Sequence, residues 1–226
     1  MEHGRDEFRK RLVAEALSDR FGMALLAGDL KGAEEIAREA LELTLDEAML
    51  YDSVVRPAMH RVGVLWAAGE ISVAHEHLAT TIATRVLVLA HELAGMPEHR
   101  VDQRVMLAGV EGEQHVMALD MAAKLLESAG YEVLELGPDV PTSALTGIVE
   151  EHRPSLFALT ATMPEAGRRV PIVLDSVLGA GGDVGLILGG EGVPPGLELA
   201  PRVSVVESVA RVVDAADALV RRAGLN

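Results

Sequence analysis

The sequence predicts a two-part α/β chain: an N-terminal bundle of four helices, then a doubly wound parallel sheet of five strands. Three observations carry this expectation. Apolar residues recur at helical spacing from Asp6 to Gly95, and the polar stretch Gly95-Met96-Pro97-Glu98-His99-Arg100 then interrupts the pattern with both a Gly and a Pro. Beyond it, short apolar runs alternate with helix-period segments, the signature of parallel strands joined by covering helices. The boundaries read as residues 1–95 for the bundle, 96–102 for a linker and 103–226 for the sheet domain.

The first helix carries Phe8, Leu12 and Ala16, then Phe21 to Leu26, and breaks at Gly28-Asp29, where Asp29 can cap the next. The second runs from Leu30 to Leu43. Thr44, with Glu47 three residues later, is placed to cap the third, Ala48 to Trp66, which Pro57 should bend or interrupt. Gly69 precedes the fourth, Ile71 to Leu93. Four antiparallel helices with short loops make a small bundle. The strand patterns are Val105 to Val110, Tyr131 to Leu136, Ser155 to Thr160, Val184 to Leu188 and Val203 to Val206.

Composition narrows the function. The 226 residues are 49% hydrophobic, ample for a core, but only 3% aromatic, so the single Trp66 calls for a special role. A formal charge of −15 repels phosphate backbones and anionic membranes, so direct nucleic-acid binding is not expected. The absence of Cys excludes disulfides, thiolate metal sites, cysteine catalysis and thioether-linked chromophores. No leader-like or membrane-spanning run is present in the sequence, and a cytoplasmic location is expected.

The most informative local feature is Gly112-Glu113-Gln114-His115-Val116-Met117-Ala118, between the first strand pattern and a helix pattern. Loops at the carboxyl edge of a parallel sheet are where open α/β folds bind ligands. A lone loop His is most often a local capping or hydrogen-bonding residue. Here Glu113, two residues earlier, can accept a proton from one imidazole nitrogen and free the other for a metal. A Cys-free chain with one such His would hold a bare ion poorly, which favours a metal that brings its own equatorial ligands in a macrocycle. Gly137-Pro138-Asp139-Val140-Pro141, Thr160 with Thr162, and Gly189-Gly190 end the next three strand patterns and should open on the same edge.

Together Glu113-x-His115-x-x-Ala118, Leu136-Gly137-x-x-Val140-Pro141, Leu159-Thr160 and Gly189-Gly190 resemble the motifs of cobalamin-binding domains, whose fold is Rossmann-like (flavodoxin-like). The resemblance implies that His115 is the lower axial ligand of cobalt. It also implies that the displaced dimethylbenzimidazole tail descends beside Thr160 and Gly189-Gly190, with Gln114, Val116, Gly137, Val140 and Thr162 around it. Two departures stand out: Glu113 replaces the family's Asp, and Ala118 replaces its Gly. The N-terminal half, with Pro57-Ala58-Met59, Gly63-x-x-Trp66 and Gly69 to His77, resembles the helical cap found over the corrin in that family. Trp66, nine residues, then Glu76-His77 is similar to the signature of its light-sensing, CarH-like subgroup. There the Trp covers the upper corrin face and the Glu-His pair contacts the upper ligand, normally 5′-deoxyadenosyl.

Methyl-transfer corrinoid proteins continue the motif as His-Asp-Ile-Gly-Lys, against His115-Val116-Met117-Ala118-Leu119 here, which speaks against methyl shuttling. CarH-like repressors carry a MerR-type DNA-binding domain and a His directly after the Trp. Here the bundle is the first element expected and position 67 is Ala67, so any bis-histidine photoproduct is expected to recruit another residue, His75 or His77, or not to form. The resemblance therefore implies a photocobilin-like, non-enzymatic light sensor binding adenosylcobalamin. A non-covalent biliverdin is an expected second chromophore, with His60, His91, His99 and His152 as spare imidazoles. The expected output is self-association, as a homo-oligomer, or a protein partner. A corrinoid carrier of a methyltransferase or mutase, and a cofactor-free adaptor, are the alternatives.

Overall fold

The structure, a computed structural model, describes residues 2–43, 45–95, 97, 99–180, 183–197 and 199–224. It divides into two compact units, 1–95 and 96–226, each treated by itself.

In the first unit, α1 (Glu2–Ala27) and α2 (Leu30–Glu42) are joined by a tight turn at Gly28, whose φ of 68° favours glycine. Asp29 caps α2 by accepting the Gly32 N–H at 2.9 Å, as the sequence suggested. The cap expected at Thr44 lies outside the described residues. It is Asp46, accepting from the Met49 N–H at 2.8 Å, that caps α3 (Glu47–Met49).

The third predicted helix is continuous but changes register. A π-helical turn, Leu50–Val55, separates α3 from α4 (Arg56–Ala67), and the Arg56 N–H bonds the carbonyl of Tyr51, five residues back. Pro57 explains the position of the change: it has no N–H, and its ring would strike a carbonyl of the preceding turn, so the helix widens just before it. The last helix is α5 (Val73–Ala94).

The bundle core alternates large residues (Phe21, Leu25, Tyr51, Leu87) with small ones (Ala33, Ala37, Ala79, Ala83), which lets helix backbones approach closely. Among the described residues Ser18 and Glu47 are buried polar side chains within it, the Ser18 hydroxyl donating to Val54 O at 2.9 Å. The Glu47 carboxylate accepts the Tyr51 hydroxyl at 2.6 Å and lies 3.2 Å from His91 Nδ1, tying α3 to α5. His91, one of the spare imidazoles, is thus a packing residue.

The second unit contains β1 (Arg104–Gly109), α6 (Met117–Ser128), β2 (Glu132–Glu135), α7 (Thr142–His152), β3 (Leu156–Thr160), α8 (Pro164–Gly167), α9 (Val170–Gly179), β4 (Gly185–Gly189), β5 (Val203–Val206) and α10 (Val212–Ala223). All five strands are parallel, in the order β2-β1-β3-β4-β5, so the predicted sheet is present. Helices α7 and α9 pack on one face over Met106, Phe157, Leu159 and Leu186, and α6 and α10 cover the other. The chain leaves β1 toward β2 and returns to β3 on the other side, which makes the carboxyl ends of β1 and β3 the topological switch point.

Candidate functional site

Four strand ends line up on this edge in one register row: Gly109 beside Thr160, Thr160 beside Gly189, and Gly189 beside Val206. Thr160 therefore stands between two glycines. A Cβ on Gly109 would lie 3.3 Å from the Glu113 side chain and 3.1 Å from Pro138, so that position is filled from above. A Cβ on Gly189 would meet only Val206, at 3.4 Å, so the space beside Thr160 stays open on that side.

Glu113 organises the edge. Its side chain is fully buried, and its two oxygens serve different loops. Oε1 accepts the His115 N–H at 2.8 Å and lies 2.8 Å from His115 Nδ1; Oε2 accepts the backbone N–H of Thr162 and, at 3.1 Å, that of Met163. Burial, the largest single influence on this carboxyl, would raise its pKa. The three backbone N–H donors and the imidazole together outweigh that and hold it below the ordinary carboxylate value. Glu113 is therefore an anion, and an anion only accepts. The proton of a neutral His115 must then sit on Nδ1, leaving the Nε2 lone pair free. Among the described residues Nε2 has no hydrogen-bond partner, and the His115 side chain is 55% exposed.

Glycine at 190 also meets a packing constraint of its own. Its φ is 105°, and a Cβ there would come within 2.6 Å of the Ala161 carbonyl carbon. Gly192 is equally constrained, its Cβ falling 2.8 Å from the Met163 carbonyl carbon, and its N–H bonds Ala161 O at 2.9 Å. The loop after β4 is thus zipped backbone to backbone onto the loop after β3. Gly190 serves that packing, and Gly189 leaves the space beside Thr160 open. Gly137 and Val140 likewise act through backbone. Gly137 O accepts the Gly109 N–H at 2.9 Å, and Val140 pairs with Val110 and donates to Gly109 O at 3.1 Å, carrying the β1–β2 ladder beyond the strands.

Gln114 is exposed, Val116 is the N-cap of α6, and Ala118 is its second residue. The sequence missed two contributors, Met163 and Asp139. Asp139 Oδ1 accepts the Gly112 N–H at 2.7 Å while its own N–H donates to Glu113 O at 2.9 Å. Its position after Gly137-Pro138 was a usable signal, because Asp tolerates the left-handed conformation it adopts there.

A planar macrocycle with a trailing nucleotide fits this donor set. His115 offers one unprotonated nitrogen, and among the described residues the buried Thr160 and Thr162 hydroxyls have no hydrogen-bond partner. A buried, unpaired hydroxyl is costly, and a polar ligand tail beside Gly189 would relieve both.

In the first unit, Trp66 is half exposed at the end of α4 rather than buried in the core. Glu76 and His77, in the first turns of α5, form a pair with Oε2 2.6 Å from Nδ1, and the His77 side chain is 75% exposed. His75 Nδ1 lies 2.7 Å from the Ser72 hydroxyl. Among the described residues no helix is long and apolar enough to cross a membrane.

Comparison with known proteins gives two domain matches, each described as a B12 binding domain: a helical one over residues 6–89 and a second over residues 103–217. The trimethylamine corrinoid protein of Methanosarcina barkeri is 31% identical over 58% of this chain and 61% of its own length. The HTH-type transcriptional repressor CarA of Myxococcus xanthus is 28% identical over 81% of this chain and 61% of its own. The chain thus spans about six tenths of the length of these curated relatives. Among solved structures, the Methanosarcina barkeri monomethylamine corrinoid protein shares the fold with a TM-score of 0.70 at 20% identity, covering 90% of this chain and 97% of that one.

Proposed function

The chain belongs to the B12-binding family, and we propose on that premise that it is a non-enzymatic, adenosylcobalamin-based light sensor. The observation that carries this reading is Trp66. The only Trp of the chain is half exposed, ten positions before a hydrogen-bonded Glu76–His77 pair, where a bundle-core role would have buried it. That arrangement supports contact of all three residues with a cofactor's upper ligand.

Adenosylcobalamin, when bound, supplies a cobalt–carbon bond that visible light breaks. His115 would hold cobalt through Nε2, with Glu113 keeping the proton on Nδ1. Thr160 and Thr162 would donate to the nucleotide tail, which Gly189 admits. Trp66, Glu76 and His77 would lose the adenosyl group on illumination. Signalling follows only if that group interacts differently with two arrangements of the helical unit, and the output is self-association or a protein partner.

The test loads the protein with adenosylcobalamin in the dark, then records absorption and elution volume before and after green light. The sensor reading expects both to change, and His115→Ala to abolish the His-on spectrum. Retained cobalamin with no change in size on illumination would instead support a corrinoid carrier, the reading favoured by the 31% identity to the trimethylamine corrinoid protein. No retained cobalamin would remove both.

A further inference from the structure

We propose that Asp139 is a positioning residue for the cobalt-ligand loop, fixing Gly112 to His115 before any cofactor arrives. The inference rests on the assignment of His115 as the axial ligand.

Asp139 holds two consecutive residues of the neighbouring loop with two different parts of itself. Its carboxylate accepts the Gly112 N–H at 2.7 Å, and its backbone N–H donates to Glu113 O at 2.9 Å. Both bonds require the chain to reverse at Asp139, which it does with φ 54°, in the left-handed region where Asp is among the few tolerated side chains. Gly112 is itself left-handed, at φ 89°, so the clamp falls where the loop's backbone is least restricted by its own sterics.

The opposite flank is held by Glu113, through Thr162 and Met163 on the β3 side. The His115 loop is thus gripped from β2 by Asp139 and from β3 by Glu113. Gly112, Gln114 and His115 are otherwise exposed. Order imposed in advance is order that cofactor binding need not supply, so the clamp acts on affinity and on the fraction of cobalt that His115 captures.

Two variants separate the carboxylate from the backbone. Asp139→Gly keeps the left-handed turn and deletes only the acceptor; Asp139→Asn keeps an acceptor in place. Three readouts apply: hydrogen exchange at the Gly112 amide in cofactor-free protein, the dissociation constant for cobalamin, and the electron paramagnetic resonance spectrum of cob(II)alamin on ¹⁵N-labelled protein. In that spectrum a ¹⁵N splitting reports a protein ligand and a ¹⁴N splitting the nucleotide base.

The expected result for Asp139→Gly is Gly112 exchange at least about tenfold faster, cobalamin binding about five- to tenfold weaker and a reduced ¹⁵N fraction, consistent with loss of one charge-assisted hydrogen bond. Asp139→Asn should restore most of each. If the wild type shows the ¹⁵N signal and Asp139→Gly matches it in signal, affinity and Gly112 exchange, the proposal is overturned. If the wild type binds cobalamin without a ¹⁵N signal, or binds none, the assignment of His115 falls first, and the proposal with it.

Discussion

Alanine at Gly190 should damage the protein before any ligand is added, whereas alanine at Gly189 should not. A Cβ on Gly190 would lie 2.6 Å from the Ala161 carbonyl carbon and 3.0 Å from the Thr162 nitrogen, all rigid backbone, at a φ of 105°. The backbone strain alone costs on the order of 1–3 kcal/mol. Relief requires the two loops to part, which releases the bond from Gly192 N–H to Ala161 O at about 1 kcal/mol. The sum is about 2–4 kcal/mol, or roughly 4–16 °C in Tm for a chain of this size. At Gly189 the added methyl makes ordinary contact with Val206, 3.4 Å from its side chain and 3.9 Å from its carbonyl oxygen, with no positive φ, and should move Tm by no more than about 2 °C. Thermal unfolding of the cofactor-free variants by circular dichroism reads both numbers. Cobalamin affinity then completes the pair, because Gly189→Ala should weaken binding by filling the space beside Thr160. A Gly190→Ala protein melting within 2 °C of wild type would refute the zipped-loop argument, and undiminished affinity in Gly189→Ala would refute the placement of the tail.

Other expectations follow from the same geometry. Glu113→Gln offers one acceptor oxygen where two are used and turns an NH₂ toward buried donors. It should cost about 2–4 kcal/mol at pH 7, measured by thermal or urea unfolding. Because the folded carboxyl is held below its ordinary value of 4.5, its contribution is present above that pH and lost as pH falls through the lower folded value. The gap between wild type and variant should therefore close in acid. Glu135 has the opposite sign. Partial desolvation, then the neighbouring Asp120 carboxylate, raises it from 4.5 to about 7, so its stabilising contribution is full below pH 4.5 and is lost as pH rises through about 7. The wild type should lose Tm relative to Glu135→Gln between pH 5 and 8, by a small amount because Glu135 is exposed; a flat difference across that range would contradict the raised Glu135 carboxyl. Trp66→Ala should leave cofactor-free Tm within about 2 °C, since half of the side chain already faces water, while changing the quantum yield of photolysis in the loaded protein. A larger drop in Tm would return Trp66 to a structural role.

The sequence made the strands and helices legible because periodicity is a local property. Each of the five apolar runs is a strand to within a residue or two, and Asp29 announced its helix through a bond only three residues long. The π turn was half legible: Pro57 demanded an accommodation, but whether a helix meets it by bending, breaking or widening depends on what packs against it, here Tyr51, Val54 and Val55 in the bundle core. Legibility failed where a residue's reason lies in a distant segment. Gly189 and Gly190 are identical neighbours in sequence, yet an added Cβ would make ordinary contact with Val206 at one and collide with the Ala161 backbone at the other, a collision set by a loop nearly thirty positions away.

Glu113 marks the same limit most sharply. An acid two residues before a histidine predicts the Oε1 contact, since both ends belong to one loop. The second oxygen accepts from Thr162 and Met163, close to fifty residues on, and no spacing rule reaches that far. Yet that second contact supplies two of the four hydrogen bonds that together hold the buried acid as an anion, and the anion places the His115 proton on Nδ1. The chemical state of the candidate cobalt ligand therefore depends in part on two backbone amides of a loop that carries the Thr162 hydroxyl. Any force that moves that loop acts on His115 through a single carboxylate.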